Sequence, residues 1–593
     1  MKPGRNAPCS CGSGKKYKHC CAGKAAPRTP TPAELNQLAV LFNSGRYAEL
    51  ESRTRLLLEQ YPEAGLVWKL LCISLQMQGK NALGALQKAA KFLPNDAEIH
   101  NNLGHTLQAF GQYAEAAASF RRALALVPDF MEAHANLGNA LKDLGQFDAA
   151  VASYRRALEI NPHVAEIHSN LGALLHELLR FDEAVTSLHR ALELNPQYAA
   201  AHNNLGNVLR DMGQLDSAAE SFRQALALQP DYADAHNNLG AVLRVLGQFD
   251  DAIACSRKAL EIKPDYDTAH INLSHLLLEQ GDFERGWQEY EWRDARGAVE
   301  RRVPIPLPKA STLLPFTSAG KRILLCHEQG IGDELFFLRF APQLHAQAQW
   351  VGYWSSAKVH TLIARSGCVD QLFSRYDEAP QADLILPVGD LPLLLGCNST
   401  AAIPSSLRFS PAEQDVAKVR QRLSELGLTS QRLLGLTWRG GSPPAPGKPK
   451  TLFKQIGLDA LAGAIKDWKG AIVVLQRKPA AGEIEQLRAR VSCPVYDFSE
   501  YNDDLESMLA LLDVLEEYVG VSNANMHLMA GLGKTARVLI PFPAEWRWMA
   551  SGDQSPWFPG FKLYRELVEG GWRQAMIALE HDLSNPSSLT SPE

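Results

Sequence analysis

From about residue 97 onward, apolar, small and polar positions recur along the chain at a fixed interval of 34 residues. Pro94, Pro128, Pro162, Pro196, Pro230 and Pro264 keep that spacing without a gap. Leu103, Leu137, Leu171, Leu205, Leu239 and Leu273 run in step, and Gly104, Gly138, Gly172, Gly206 and Gly240 follow the first five. Ala116, Ala150, Ala184, Ala218 and Ala252 mark a second stripe, where a small side chain lets helices approach closely. The spacing predicts one helical hairpin per repeat, turned near Gly111, Gly145, Gly213, Gly247 or Gly281 and ended by proline. Leu179 stands where one unit should have its turn glycine. Weaker copies at Gly45 to Pro62 and Gly79 to Pro94 extend the array to roughly eight hairpins over residues 31–300. After Gly281 the small residues give way to Trp287, Tyr290 and Trp292, an aromatic end expected to dock on whatever follows.

Past a proline-rich link over residues 301–320, the period changes. Short apolar runs alternate with amphipathic stretches, which reads as βαβ units. Strands are expected at residues 322–326, 433–438, 471–476, 518–521 and 536–540. A Pro/Gly stretch near residues 440–450 is read as dividing two strand groups, hence two lobes, 321–430 and 431–585, with a cleft between them. Residues 586–593 read as a disordered tail. The fold class is therefore multidomain, an all-α repeat solenoid followed by a two-lobed α/β region.

Composition narrows the function classes. A length of 593 residues suggests about four folding units, and 46% hydrophobic with 21% charged residues excludes a disordered chain. No apolar run approaches the roughly 20 residues of a membrane span. A net charge of -5 lacks the footprint of a nucleic-acid binder. The opening residues, Met1 to Ser10, lack a signal-peptide core, so the expected address is the cytoplasm.

Cysteine usage points the same way. Cys9, Cys11, Cys20 and Cys21 cluster within the first 21 residues, while the other six cysteines are scattered. That is not a secreted disulfide framework. Two close thiol pairs on a glycine-rich loop can close a tetrahedral zinc site, and the surrounding Arg5 and lysines favour the thiolate form. The pattern resembles the SEC-C zinc motif found at the C-terminus of the SecA translocation ATPase and appended to many bacterial proteins. The resemblance implies a knuckle over residues 1–27 with Cys9, Cys11, Cys20 and Cys21 as ligands, Cys21 standing where many members carry His. His19 is the less favoured substitute. Four thiolates would leave no open coordination position, so the Zn²⁺ would be structural. Family analogy implies a protein or ribosomal partner for the knuckle.

The 34-residue period is that of the tetratricopeptide repeat (TPR). In such arrays the first helix of each hairpin lines a concave face. His100, His134, His168, His202, His236 and His270 recur there, as do Asn102, Asn136, Asn170, Asn204, Asn238 and Asn272. An asparagine ladder offers a donor and an acceptor at every step, which suits sequence-tolerant capture of an extended polypeptide. The pattern is similar to the repeats of the protein O-GlcNAc transferases. The competing reading is that the asparagines bond only to neighbouring helices and the histidines pack between them.

Three loops at strand ends carry the candidate chemistry. The first, His327 to Leu335, holds Gly330, Gly332 and Asp333; the second, Thr437 to Gly441, leads into a stretch with Lys448, Lys450 and Lys454. The third, Gly520 to Leu528, opens a helix whose free N–H groups could hold a diphosphate. Together they resemble the GT-B glycosyltransferases of the heptosyltransferase kind and, more closely, bacterial TPR-linked transferase-like domains. Glu545-Trp-Arg-Trp and Ser555-Pro-Trp-Phe-Pro-Gly are typical of the TPR-linked group. The resemblance implies a metal-independent transferase using a nucleotide sugar. Asp333 would be the base that activates an acceptor hydroxyl. Gly330, Gly332, Lys454, Asn523, Asn525, Met526 and His527 would form the donor site. Family members usually carry Val-Asp-Thr before the third loop's helix, where this chain has Ser522-Asn523-Ala524. The lost carboxylate leaves a second reading open, a scaffold whose transferase-like region is degenerate. Gly531 to Thr535 ends like a P-loop but lacks glycine at position 528 and runs from helix to strand, so triphosphate hydrolysis is rejected.

Overall fold

The computed structural model describes residues 29–303, 306–441, 454–567 and 570–585. The chain divides into two compact units, Met1–Val208 and Leu209–Glu593.

In the first unit, helices pair as antiparallel hairpins: Pro32–Asn43 with Tyr47–Gln60, Gly65–Gln76 with Leu83–Phe92, Ala97–Ala109 with Tyr113–Leu126, Met131–Asp143 with Phe147–Ile160, and Ala165–Glu177 with Phe181–Leu194. Size complementarity at one position explains the pairing. A Cβ on Gly104 would lie 2.6 Å from the Phe120 ring, on Gly138 2.7 Å from Tyr154, and on Gly172 2.6 Å from Leu188. The glycine therefore admits a large apolar side chain of the partner helix into direct contact with its backbone. The turn between helices needs a left-handed residue. Gly111 and Gly145 supply it at φ 72°, and Leu179 is forced into the same region at φ 59°.

Each histidine of the periodic set turns its Nε2 onto the carbonyl of the proline six residues earlier. The distances are 3.2 Å for His100–Pro94, 2.9 Å for His134–Pro128, 3.0 Å for His168–Pro162 and 3.1 Å for His202–Pro196. The carbonyl has no proton to give, so Nε2–H is the donor.

The second unit begins with repeat helices and ends in α/β structure. Ala233–Val245 pairs with Phe249–Ile262, and Asp267–Glu279 with the short Phe283–Tyr290. The aromatic end docks as expected. Trp287, 2% exposed, meets Trp546 at 5.3 Å and Trp557 at 5.8 Å between ring centroids, both edge to face.

Two parallel sheets follow. The first has the order β3-β2-β1-β4, from β1 (Arg322–Cys326), β2 (Trp350–Trp354), β3 (Gln371–Phe373) and β4 (Leu384–Pro387). Its register sets Leu324 opposite both Gly352 and Ile385. The second contains β5 (Leu433–Thr437), β8 (Ala471–Val474), β9 (Val495–Asp497), β10 (Glu517–Val521), β11 (Arg537–Ile540) and β12 (Lys562–Arg565), ordered β12-β11-β10-β5-β8-β9. Between β5 and β8, β6 (Arg439–Gly440) and β7 (Lys454–Gln455) form a separate antiparallel pair. β5, β8, β10 and β11 are buried along their whole length, as parallel strands covered on both faces must be. The stretch at 440–450 is therefore not the divider the sequence implied. β5 shares a sheet with β8 and β10, and the change of sheet falls between β4 and β5, across the Glu413–Glu425 helix.

Candidate functional site

The loop after β1 feeds the Ile331–Phe337 helix, whose first turn holds Asp333 and Glu334. Their fates differ. Glu334 is buried and accepts a 2.7 Å hydrogen bond from the Tyr353 hydroxyl; burial pushes its carboxyl up to about 7 despite that bond. Asp333 points to the second sheet and is ion-paired with the Arg547 guanidinium. The loop's other acid, Glu328, is structural. Arg293, which follows the last repeat hairpin, grips it through two bonds of 2.6 and 2.9 Å and also bonds Asp390 at 2.7 Å. Gly389 N–H adds a third bond to Glu328 at 2.6 Å.

The loop after β10 starts the Ala524–Gly531 helix. Asn523 is its cap, accepting from Asn525 N–H at 2.9 Å. Its amide nitrogen donates to the Thr437 hydroxyl at 3.0 Å and the Tyr518 hydroxyl at 3.2 Å. Gly520 makes this possible, since a Cβ there would fall 2.1 Å from Thr437 Oγ1. Asn525, Met526 and His527 are buried. The His527 ring packs 5.3 Å from Phe558 and against Gly332, where a Cβ would come within 3.3 Å of it. Among the described residues its Nδ1 has no hydrogen-bond partner. Burial, together with Arg547, Arg339 and Lys454, pushes the imidazole well below its ordinary value, so the ring is neutral. Gly332 and His527 thus form a joint between the two sheets.

Lys454, on β7, bonds the Ser522 carbonyl at 3.1 Å and is ion-paired with Glu545. Glu545 also accepts from Ser522 Oγ at 3.0 Å and lies 3.6 Å from Arg547. Burial would raise the Glu545 carboxyl, but Lys454 and Arg547 outweigh it and hold it below its usual range. Arg547 lies over the rings of Phe336 and Trp546 at 4.9 and 4.8 Å. A cavity of about 720 Å³ opens beside these groups. Its lining includes Asp333, Glu545 and Arg547 from the α/β region, and Asp267, Ile271 and His275 from the last repeat hairpin.

Asp333, Lys454 and the third loop are legible as candidates in the sequence; no role for Glu545, Arg547, Glu328 or Arg293 is. The Glu545-Trp-Arg-Trp run was the available signal for the first two, because charges flanked by tryptophans imply a buried polar arrangement. The repeat asparagines are half-buried, and some are already engaged. Asn136 donates to Asn101 Oδ1 at 3.1 Å, Asn204 to Ser169 Oγ at 3.1 Å, and Asn272 to Asn237 Oδ1 at 2.8 Å. Each bond ties one repeat to its predecessor. Lys534, in the P-loop-like run, donates to the carbonyls of Leu512 and Leu515 at 3.2 and 2.8 Å and so closes a helix end. Cys9, Cys11, Cys20, Cys21, His19, Lys448 and Lys450 lie outside the described residues, as do residues 586–593. Among the described residues no group of three or more His, Cys, Asp or Glu could hold a metal ion, and no helix is long and apolar enough to cross a membrane.

Comparison with known families matches tetratricopeptide repeats at residues 85–118, 109–145, 138–178, 180–213, 206–244 and 233–266. A SEC-C motif matches at residues 5–23. The chain thus carries both, and its C-terminal region is of mixed α/β content. It is similar to the protein translocase subunit SecA of a Nitratiruptor species, 63% identical over 35 residues, 6% of this chain and 4% of that protein. It is also similar to Protein FlbA of Caulobacter vibrioides, 23% identical over 313 residues, 49% of this chain and 50% of that one. The chain therefore spans half the length of FlbA and a small fraction of SecA. Among solved structures it is similar to YrrB, described as a TPR protein with an unusual peptide-binding site. That likeness is 27% identity over 31% of this chain and 95% of YrrB, with a TM-score of 0.26.

Proposed function

We propose that this chain is a cytoplasmic TPR glycosyltransferase of GT-B type, moving a sugar from a nucleotide-sugar donor to a polypeptide presented by the repeats. One observation carries the reading: Asp333, Glu545 and Arg547 meet at a cavity whose other wall is the last repeat hairpin, and Lys454 reaches Glu545 from the smaller cavity on its other side. An acceptor held by the last repeats would arrive beside Asp333. There the carboxylate can take the acceptor hydroxyl's proton while Lys454 and Arg547 offset charge growing on a departing diphosphate. His527 is neutral and buried, so it shapes the joint and supplies no charge. The test is release of nucleoside diphosphate from a panel of nucleotide sugars. Turnover by the wild type that Asp333→Asn abolishes supports the assignment; turnover unchanged in that variant refutes it.

A second reading has its own support. Asp333 is already neutralised by Arg547, and the Asn523 side chain is committed to its cap and to Thr437 and Tyr518. Tetratricopeptide repeats are a protein-interaction scaffold, and a degenerate transferase region would leave that role alone. Calorimetric titration separates the two readings, since failure of every nucleotide sugar to bind favours the scaffold.

The SEC-C match supports a structural Zn²⁺ on Cys9, Cys11, Cys20 and Cys21, with a protein or ribosomal partner for the knuckle. The thiols at Cys72, Cys255, Cys326, Cys368, Cys397 and Cys493 are free, in keeping with a reducing compartment. One equivalent of zinc per chain, lost on Cys20→Ser with Cys21→Ser, is the expected result by elemental analysis.

A further inference from the structure

The segment 541–550 joins β11 to the tryptophan-rich turn and carries Glu545 into the middle of the candidate site. Lys454 Nζ and Ser522 Oγ converge on this one carboxylate from two distant parts of the chain, and the Arg547 guanidinium, two residues along the same segment, lies 3.6 Å from it. Such a set, an ammonium, a hydroxyl and a guanidinium, is what a phosphate group would need. This carboxylate is not packed closed. Glu545 borders a cavity on each side, one of about 150 Å³ shared with Lys454 and Ser522 and one of about 720 Å³ shared with Asp333 and Arg547.

The segment is also held from outside itself. Arg244, on the Ala233–Val245 repeat helix, donates to the Ala544 carbonyl at 2.9 Å, and Ala550 N–H donates to the Glu279 carbonyl at 3.1 Å. Arg244 is itself fixed by its ion pair with Glu279. At the far end Met549 sits at φ 61°, a left-handed conformation that strains a residue with a side chain. Arg565 keeps it there by donating to the carbonyls of Met549 at 3.1 Å and Gly552 at 2.6 Å.

We infer that Glu545 is an internal stand-in for a phosphate, and that the 541–550 segment is a self-inhibitory strap tethered to the last repeats. The inference rests on the donor reading above. A phosphate-bearing ligand has to displace Glu545 from Lys454 and Arg547. Because Arg244 tethers the strap, an event on the repeats that loosens Arg244 would unmask the seat.

Inorganic pyrophosphate is the probe, titrated calorimetrically into the full chain at low salt. Glu545→Gln keeps the shape and removes the competing charge, and is expected to tighten binding at least tenfold. Arg244→Met combined with Glu279→Gln removes the side-chain half of the tether, leaving Glu545 and the Ala550–Glu279 backbone bond in place, and is expected to tighten binding at least threefold. Adding Lys454→Met to Glu545→Gln should abolish the gain. Binding that is unchanged or weaker in Glu545→Gln overturns the stand-in, and unchanged binding in the Arg244/Glu279 variant overturns the tether. A nucleotide-sugar panel run on the same proteins keeps the two readings apart. Tighter pyrophosphate with no nucleotide sugar bound by any variant would uphold the strap and sink the donor reading. Nucleotide sugars bound by the wild type, but more weakly by Glu545→Gln, would do the reverse.

Discussion

Asp333 is neutralised by Arg547, a residue 214 positions further along the chain and carried by a different sheet's loop. The side chains are 26% and 11% exposed, so the pair sits at the cavity's edge and not in open water. The candidate base is thus also a counter-ion, and a single substitution disturbs both roles. Asp333→Asn should lower stability by about 1–3 kcal/mol, because Arg547 is left with a neutral neighbour. Asp333→Asn with Arg547→Met should recover much of that loss without recovering transfer. Urea melts and nucleotide release on the same samples check this, and restored transfer in the double variant would deny Asp333 its role as base.

The Asn523 position bears on donor choice. Aspartate caps a helix as well as asparagine does, and the Thr437 hydroxyl can turn to donate to it. Asn523→Asp should therefore change melting by less than about 1 kcal/mol while altering the ranking of nucleotide sugars in a binding panel. An unaltered ranking would mean that the residue is only a cap.

Glu334 gives the α/β region a pH dependence. Its native carboxyl titrates at about 7, against about 4.3 in an unfolded chain. The native state holds that proton more tightly, so the associated stability is complete below about pH 4 and is lost as pH rises through 7. Glu334→Gln, which can still accept from Tyr353, should gain about 2 kcal/mol relative to the wild type on going from pH 5 to pH 8. Denaturant melts at the two pH values measure it.

Leu179 is the simplest case. At φ 59° it occupies the place where its counterparts are glycine, and it is 37% exposed, so little apolar contact is lost with its side chain. Leu179→Gly should raise the stability of the first unit by about 1 kcal/mol, even after glycine's extra unfolded-state entropy. Proteolysis of the turn at residues 178–181 should slow in parallel.

What the sequence made legible was local or periodic. The turn glycines, the small-to-large contacts and the strand cores follow from spacing and apolar runs, and Trp287 announced a docked end because a solenoid helix has no other use for it. The lobe bounds 321–430 and 431–585 fall at the change of sheet, but the stretch at 440–450 is not its marker: it has a linker's composition, while strand order depends on which runs pair across the chain. Glu545 and Arg547 acquire their partners only when segments near residues 333, 454, 522 and 545 are brought together. Nothing in their immediate neighbours specifies that meeting. The asparagine ladder shows the opposite limit: its period is plain, but the same period serves inter-repeat bonds such as Asn136 to Asn101.

The histidine–proline bonds tolerate acid. Nε2–H donates to the proline carbonyl whether or not Nδ1 carries a proton, so protonating these rings does not remove that hydrogen bond. His270 is the exception. Its Nε2 bonds Pro264 at 2.9 Å like the rest, but its Nδ1 faces Glu289 and its ring stacks on Trp292 at 4.1 Å. Burial works against the charged ring there, yet Glu289 prevails and raises its proton affinity. Mild acid would therefore strengthen the hold of His270 on Glu289, at the hairpin nearest the α/β region, while leaving its bond to Pro264 intact.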